Sequence, residues 1–396
     1  MCIRDRVDSR CLQRLIYAYS KTGQERAWTI NEMQSPIQMM IVTGEDSGDA
    51  HGAELVIALR EQLGDTELRV FGAVGKRLRE EGVETIVRSD DFGIVGVPEV
   101  MRAVPMFWDV MKRLTEAAVR NQTDVVVLVD FPEFNLKLAK KLKKKGFRVV
   151  YYISPQLWAW RSYRVRGIRK YVDLLLTILP FEDDWYRRHG VEHARFVGNP
   201  LAGKVRPKRP KQVFCAETGL DPDRKLVALL PGSRAKEIQR NFPTLLNAAK
   251  LLKETNPEIQ FCIGLARSRN PERARRMIED VFGNPDSAKI VEDDTYSLLN
   301  AANAAAVASG TATLEAAIIG TPQVIVYRSS FLNYLLLRPL ISVQKFGLAN
   351  LIAGKDVYTE LIQGEFTPEK VCSELTRLLQ PEVNDAMRRE SEQIVK

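Results

Sequence analysis

From residue 39 onward, the apolar positions switch regularly between two periods. Short apolar runs at 40–43, 68–73, 125–129, 149–153 and 174–178 predict strands. Between them, stretches at 49–63, 97–118, 134–145 and 181–188 carry apolar residues at helical spacing, as with Ala53, Val56, Ile57 and Leu63. The run 125–129 is apolar throughout, which fits a parallel strand covered on both faces. The alternation breaks at Phe196-Val197-Gly198-Asn199-Pro200, and a Lys-, Arg- and Pro-rich connection follows over 201–212. It then resumes, with strands predicted at 226–230, 259–265, 304–308 and 324–327 and helices at 237–253, 272–281, 312–319 and 368–379. Single helices between strands imply right-handed crossovers and a mostly parallel sheet. The expected organisation is α/β: two Rossmann-like domains, 39–200 and 213–375, facing a cleft and followed by a helical tail at 376–396.

Composition narrows the partners. A formal net charge of +8 favours anionic ones: nucleotides, phosphates or an acidic membrane surface. Nucleic acid is not expected, because the basic residues are dispersed apart from 140–145 and 204–211 and no recognition motif accompanies them. The five cysteines form no C-x-x-C pair, which suits a reducing compartment with inert thiols. His51, His189 and His193 are the only histidines, which argues against a His-based metal site or a Ser-His-Asp triad. No stretch reaches the roughly 18 apolar residues needed to span a bilayer. Residues 1–38 lack the apolar core of a signal peptide. Their opening, Met1-Cys2-Ile3-Arg4-Asp5-Arg6, resembles a translated sequencing adapter. The expectation is a non-native or disordered leader, with the native start at Met39 or Met40.

The candidate chemistry lies where predicted strands run into helices. Leu229-Leu230-Pro231-Gly232-Ser233-Arg234 and Ala308-Ser309-Gly310-Thr311-Ala312-Thr313-Leu314-Glu315 each place a small-residue turn between strand and helix. Such turns aim backbone N–H groups at one spot, which suits a phosphate. Two of them suggest a diphosphate, with Arg234 adding a cationic fork and Glu315 a carboxylate for ribose hydroxyls. Either alone reads more readily as a plain turn; the two together favour a phosphate. Asp130 ends the strand 125–129, where ligands of open α/β sheets bind; it could accept a substrate proton, or it or Asn135 could cap the next helix.

The loop Gly44-Glu45-Asp46-Ser47-Gly48-Asp49 lacks a dinucleotide fingerprint. Glu45 and Ser47 suit sugar hydroxyls, Asp49 suits a helix cap, and His51 reads as a bystander. Trp158 and Trp160, beside Arg161, favour packing over a ligand wall. The segments 97–114 and 331–343 combine apolar residues with flanking cations, as interfacial elements do, although amphipathic core helices share that pattern.

Taken in order, the stretches 44–49, 130–135, 154–161, 230–234, 309–315 and Asn350-Leu351-Ile352-Ala353-Gly354 resemble the lipid-A-disaccharide synthases, GT-B glycosyltransferases of Gram-negative bacteria. The resemblance implies an inverting transfer from UDP-2,3-diacylglucosamine to 2,3-diacylglucosamine 1-phosphate, with UDP released and neither metal nor cofactor involved. It implies Asp130 as general base and Arg234 at the donor diphosphate. It implies Glu315 at the ribose and Asn350 as a polar group facing the cleft. The expected donor set is therefore Gly232, Ser233, Arg234, Ser309, Gly310, Thr311, Glu315 and Asn350. The expected acceptor set is Glu45, Ser47, Asn135 and Arg161. Peripheral association with the cytoplasmic face of the inner membrane, and a homodimer, are implied as well.

Three features depart from the family pattern: Ala349 replaces a usual Pro, Glu133 a usual Asp, and the chain ends at Lys396 sooner than the pattern leads one to expect. Two alternatives stay open: an enzyme like UDP-N-acetylglucosamine 2-epimerase, and a non-catalytic UDP-binding protein of the membrane surface.

Overall fold

The computed structural model describes residues 36–90, 100–201, 203–265, 271–328 and 345–395, with backbone only at 100–104 and 395. The segment 331–343, most of the leader and residues 97–99 lie outside the described residues. The chain divides into two compact units between Pro200 and Leu201.

The first unit is a seven-stranded sheet of β1 (Ile37–Val42), β2 (Leu68–Val74), β3 (Glu84–Arg88), β4 (Val125–Val129), β5 (Val149–Tyr152), β6 (Leu174–Thr177) and β7 (Ala194–Phe196). Its order is β3-β2-β1-β4-β5-β6-β7, with every pairing parallel. Helices α1 (Asp46–Leu63), α2 (Lys76–Glu80), α3 (Val100–Arg120), α4 (Pro132–Lys144), α5 (Val165–Tyr171) and α6 (Glu182–Arg188) supply the crossovers. Because strand side chains alternate, each face has its own core. Met40, Val42, Val126 and Leu128 meet Leu114 and Leu138 on one face. Met39, Ile41, Val127 and Val129 meet Val56 and Leu59 on the other. This double burial explains the unbroken apolar run of β4.

The second unit repeats the plan. Strands β8 (Leu226–Leu230), β9 (Gln260–Leu265), β10 (Lys289–Glu292), β11 (Ala304–Ala308), β12 (Gln323–Tyr327) and β13 (Glu360–Ile362) run parallel in the order β10-β9-β8-β11-β12-β13. The helices are α7 (Lys211–Thr218), α8 (Ala235–Thr255), α9 (Pro271–Phe282), α10 (Thr295–Ala301), α11 (Thr311–Ile319), α12 (Leu348–Ala353), α13 (Pro368–Leu378) and α14 (Pro381–Val395). Val227 and Leu229 face Phe242, Leu245 and Leu252. Leu226, Ala228 and Leu230 face Phe214, Leu298 and Leu299 on the other side. Helix α14 packs on α11, α12 and α13, and Arg388 donates to the carbonyls of Gly320 and Ala302.

Each sheet therefore reverses its winding once, between β1 and β4 and between β8 and β11. Such a switch point opens a crevice at the carboxyl ends of its two central strands. The four loops read as chemically suggestive in the sequence leave these four strands.

Among the described residues, no helix is long and apolar enough to cross a membrane. Helix α3 turns Val110, Met111 and Leu114 into the core and leaves Trp108 64% and Met106 37% exposed. Its described length therefore combines a core stripe with an outward apolar end. The Cys215 and Cys262 side chains are buried, and burial pushes the Cys262 thiol up to about 12.

Candidate active site

At the first switch point the chain leaves β4 through two consecutive non-glycine residues in left-handed conformation, Asp130 (φ 47°) and Phe131 (φ 48°). Such residues cost about 1–3 kcal/mol each and persist only when neighbours hold them. Here the neighbours are specific. The Asp130 carbonyl accepts from Tyr151 Oη at 2.6 Å and from Asn135 Nδ2 at 2.8 Å, and the same amide reaches the Val129 carbonyl at 3.2 Å. The Phe131 ring folds over Gly44, where an added Cβ would lie 2.2 Å from the ring. Phe107 and Phe134 pack around that ring.

The Asp130 carboxyl is pushed above the ordinary aspartate range, first by burial and then by the Glu45 carboxylate. The Phe131 N–H and, less strongly, His51 act against that shift. A carboxylate so destabilised is more eager for a proton than an exposed aspartate. Glu45 and Ser47 lie exposed at the start of α1, at the same carboxyl end of the sheet.

Two expectations need correction in this loop pair. Asn135 was expected among acceptor-binding groups, but it is fully buried and its side-chain NH2 is spent on the two strand-end carbonyls. It holds the Asp130 turn rather than meeting a ligand. Asp49 caps, as expected, but not its own helix: its carboxylate accepts from the Gly75 and Arg77 N–H groups at the start of α2.

The stretch after β5 behaves as packing and scaffold. Trp158 is buried, donates to Glu182 Oε1 at 2.9 Å and meets Phe181 edge-on. Arg161 lies 4.1 Å over the Trp160 ring and bonds Glu133, which also takes the Arg164 fork. That fork holds the Glu133 carboxyl below its usual range. Arg161 is thus tied to the start of α4 through Glu133, three residues after Asp130.

At the second switch point, Gly232 takes φ 117°, and a Cβ there would meet Glu237 Oε2 at 2.8 Å. The Ser233 and Arg234 N–H groups were expected to await a phosphate. Instead they donate to Glu237 Oε2 at 3.3 and 3.2 Å, long bonds to a carboxylate one helical turn away. The Arg234 side chain is 76% exposed and loosely paired with Glu237 at 3.6 Å. Buried Asn241 pins the Pro231 carbonyl, as Asn135 pins its counterpart in the first unit.

In the partner loop, Gly310 (φ 153°) and Thr311 are exposed, and no side chain caps α11. Its positive end is therefore open to an anion. The Ser309 hydroxyl is already used, donating to the Phe346 carbonyl at 2.7 Å. One turn into α11, Glu315 accepts from Tyr296 Oη at 3.2 Å, and burial raises its carboxyl above the ordinary range.

Asn350, expected to face the cleft, is turned inward instead. It is fully buried, donates to Tyr358 O and Glu360 Oε1, and accepts from the Val357 and Tyr358 N–H groups. Every hydrogen-bonding direction of its amide is used in holding α12 to the loop before β13.

Sequence reasoning missed Tyr151, Asn241, Glu237, Tyr296 and Glu360. Two of them left a signal: Asn241, as a polar residue among the apolar positions of its helix, and Glu237, as a carboxylate at the third helical position, which marks a capping box.

Comparison with known proteins follows the same lines. The sequence pattern of the lipid-A-disaccharide synthetase family matches residues 39–395. The chain is similar to the lipid-A-disaccharide synthase of Myxococcus xanthus, with 43% identity covering 88% of this chain and 90% of that one. It is similar to that of Trichlorobacter lovleyi at 41% identity, covering 89% and 91%. Among solved structures, a UDP-GlcNAc 2-epimerase of Neisseria meningitidis bound to UDP-GlcNAc has a TM-score of 0.60 at 12% identity, covering 91% and 98%. The calicheamicin glycosyltransferase CalG4 has a TM-score of 0.53 at 16% identity, covering 92% and 95%. At such identities the structural likeness speaks for the GT-B fold alone.

Proposed function

The chain belongs to the lipid-A-disaccharide synthetase family, and on that premise we propose how its own residues form the lipid A disaccharide. It is a hexosyltransferase that joins UDP-2,3-diacylglucosamine to 2,3-diacylglucosamine 1-phosphate and releases UDP. The epimerase alternative rests on fold likeness at 12–15% identity, while relatives near 40% identity carry the synthase name.

In the proposed reaction, Asp130 takes the proton of the acceptor 6-hydroxyl as that oxygen attacks the donor's anomeric carbon. The bond from that carbon to UDP breaks on the opposite side, so the centre inverts. Negative charge grows on the departing diphosphate, where Arg234 and the open start of α11 stabilise it. Glu315 accepts from the ribose hydroxyls. Asn135 and Tyr151 serve the base indirectly, by holding the strained turn that carries it.

The observation that supports this reading best is Asp130 itself: a carboxyl raised by burial, in a doubly left-handed turn, at the carboxyl end of a central strand beside the winding reversal. The outward end of α3, with Met106 and Trp108 exposed near Lys112, suits shallow insertion at the inner-membrane surface where acylated substrates reside. The direct test is to supply the chain with both acylated glucosamine substrates and follow product. Disaccharide and UDP in equal amounts are expected. UDP binding without disaccharide would leave only the non-catalytic reading.

A further inference from the structure

Glu315 is a carboxylate in an unfavourable place. Burial raises its pKa, and among the described residues it forms no ion pair. Its polar partner is the Tyr296 hydroxyl, 3.2 Å from Oε1. Tyr296 is in turn held with unusual care for a half-buried surface residue. It is the second residue of α10, and its neighbours on both sides are tied down. Asp294 caps the helix through the Ser297 N–H and is gripped by the Arg209 guanidinium. The Ser297 hydroxyl accepts from the Lys208 and Arg209 N–H groups. The chain segment 208–209 therefore clamps the start of α10, and the side chain set by that clamp meets Glu315.

We propose that Tyr296 is a positioning and selectivity residue of the nucleotide site: it fixes one oxygen of Glu315 so that the other is presented, ionised, to the ribose hydroxyls. A carboxylate has about four lone-pair directions, and one fixed donor removes the rotation that would blur the rest. A hydrogen bond to an ionised group also favours the ionised form, which opposes the effect of burial. The Tyr296 phenol, pushed far above its normal range by burial and by Glu315, stays protonated and remains a donor. Discrimination follows, since a site built to bond a hydroxyl rejects the analogue lacking it. The 2′-hydroxyl is the group at stake.

This inference rests on the ribose reading of Glu315, and the experiment separates the two. Affinities for UDP and for 2′-deoxy-UDP are measured by calorimetry across pH on the full chain, for wild type, Glu315→Gln and Tyr296→Phe. Thermal unfolding checks that each variant is folded. Glu315→Gln is expected to weaken UDP by tenfold or more and to lose most of the preference for the ribose form. Tyr296→Phe is expected to weaken UDP by about tenfold, as for loss of a hydrogen bond to a charged group, and to weaken 2′-deoxy-UDP much less.

Because the lost bond had lowered the Glu315 pKa, the fall of UDP affinity on acidification should begin at higher pH in Tyr296→Phe than in wild type. If Glu315→Gln weakens UDP but Tyr296→Phe does not, or weakens both nucleotides equally with no displacement in pH, the assignment of Tyr296 is wrong. If Glu315→Gln leaves UDP affinity intact, the ribose reading itself fails and the inference falls with it.

Discussion

Burial and one like charge resist ionisation of the Asp130 carboxyl, and the like charge can be tested. Glu45 stands beside it as a like charge and raises its pKa. A general base works only when ionised, so turnover should rise with pH through the Asp130 pKa, above the range of an exposed aspartate. Glu45→Gln removes a raising influence, so the acid limb of kcat/KM should move to lower pH. An acid limb that stays in place would mean that another group governs it. At this scale the sequence was readable in residue type but not in direction. The places of Asp130, Glu315 and Arg234 after strands could be read from the sequence. Asn135 and Asn350 are polar residues of the same set of motifs, yet both point inward and bond backbone groups. A buried backbone group must find a partner, but only packing decides which side chain supplies it.

The elements divide by burial. The nine strands anticipated from apolar runs are the interior strands of the two sheets, while β3, β7, β10 and β13, the four edges, were missed. Edge strands have one open flank, so Glu84–Arg88 and Lys289–Glu292 carry charge and show no clean run. The strand-to-helix loops were legible because glycine and small residues mark them. Their internal bracing was not.

Two variants probe that bracing. Asn135→Ala leaves two strand-end carbonyls short of a donor, which should cost about 1–3 kcal/mol of stability. It should also lower kcat while UDP affinity holds, as seen by denaturant unfolding and calorimetry; unchanged kcat would remove Asn135 from its positioning role. Gly232→Ala forces a Cβ into the Glu237 carboxylate at a backbone angle alanine avoids. UDP affinity should fall by about tenfold or more, given strain of about 1–3 kcal/mol in the loop. Retained affinity would show that the loop does not touch the diphosphate.

Over the whole molecule, one architecture is used twice for different chemistry. The first unit surrounds its winding reversal with carboxylates, Glu45, Asp46 and Asp130, which suit hydroxyls. The second offers Arg234 and an uncapped helix start, which suit a diphosphate. The family was legible from six ordered motifs because those motifs are the loops at the two reversals and their supports. The supports are the reason two motif asparagines proved structural.

The protein should sediment with vesicles containing anionic phospholipid, and Trp108→Ser should weaken that several-fold with UDP affinity unchanged. Equal sedimentation of the two would rule out the α3 end as the contact.

The central claim is that the proton is taken in one unit while the nucleotide is held in the other. Turnover and UDP affinity measured side by side on Asp130→Asn test it most directly. The account predicts turnover reduced by about 10²–10⁴-fold, with the dissociation constant for UDP within about twofold of wild type, since the base and the diphosphate groups belong to different units. Near-normal disaccharide formation by Asp130→Asn, or UDP binding lost along with turnover, would contradict it.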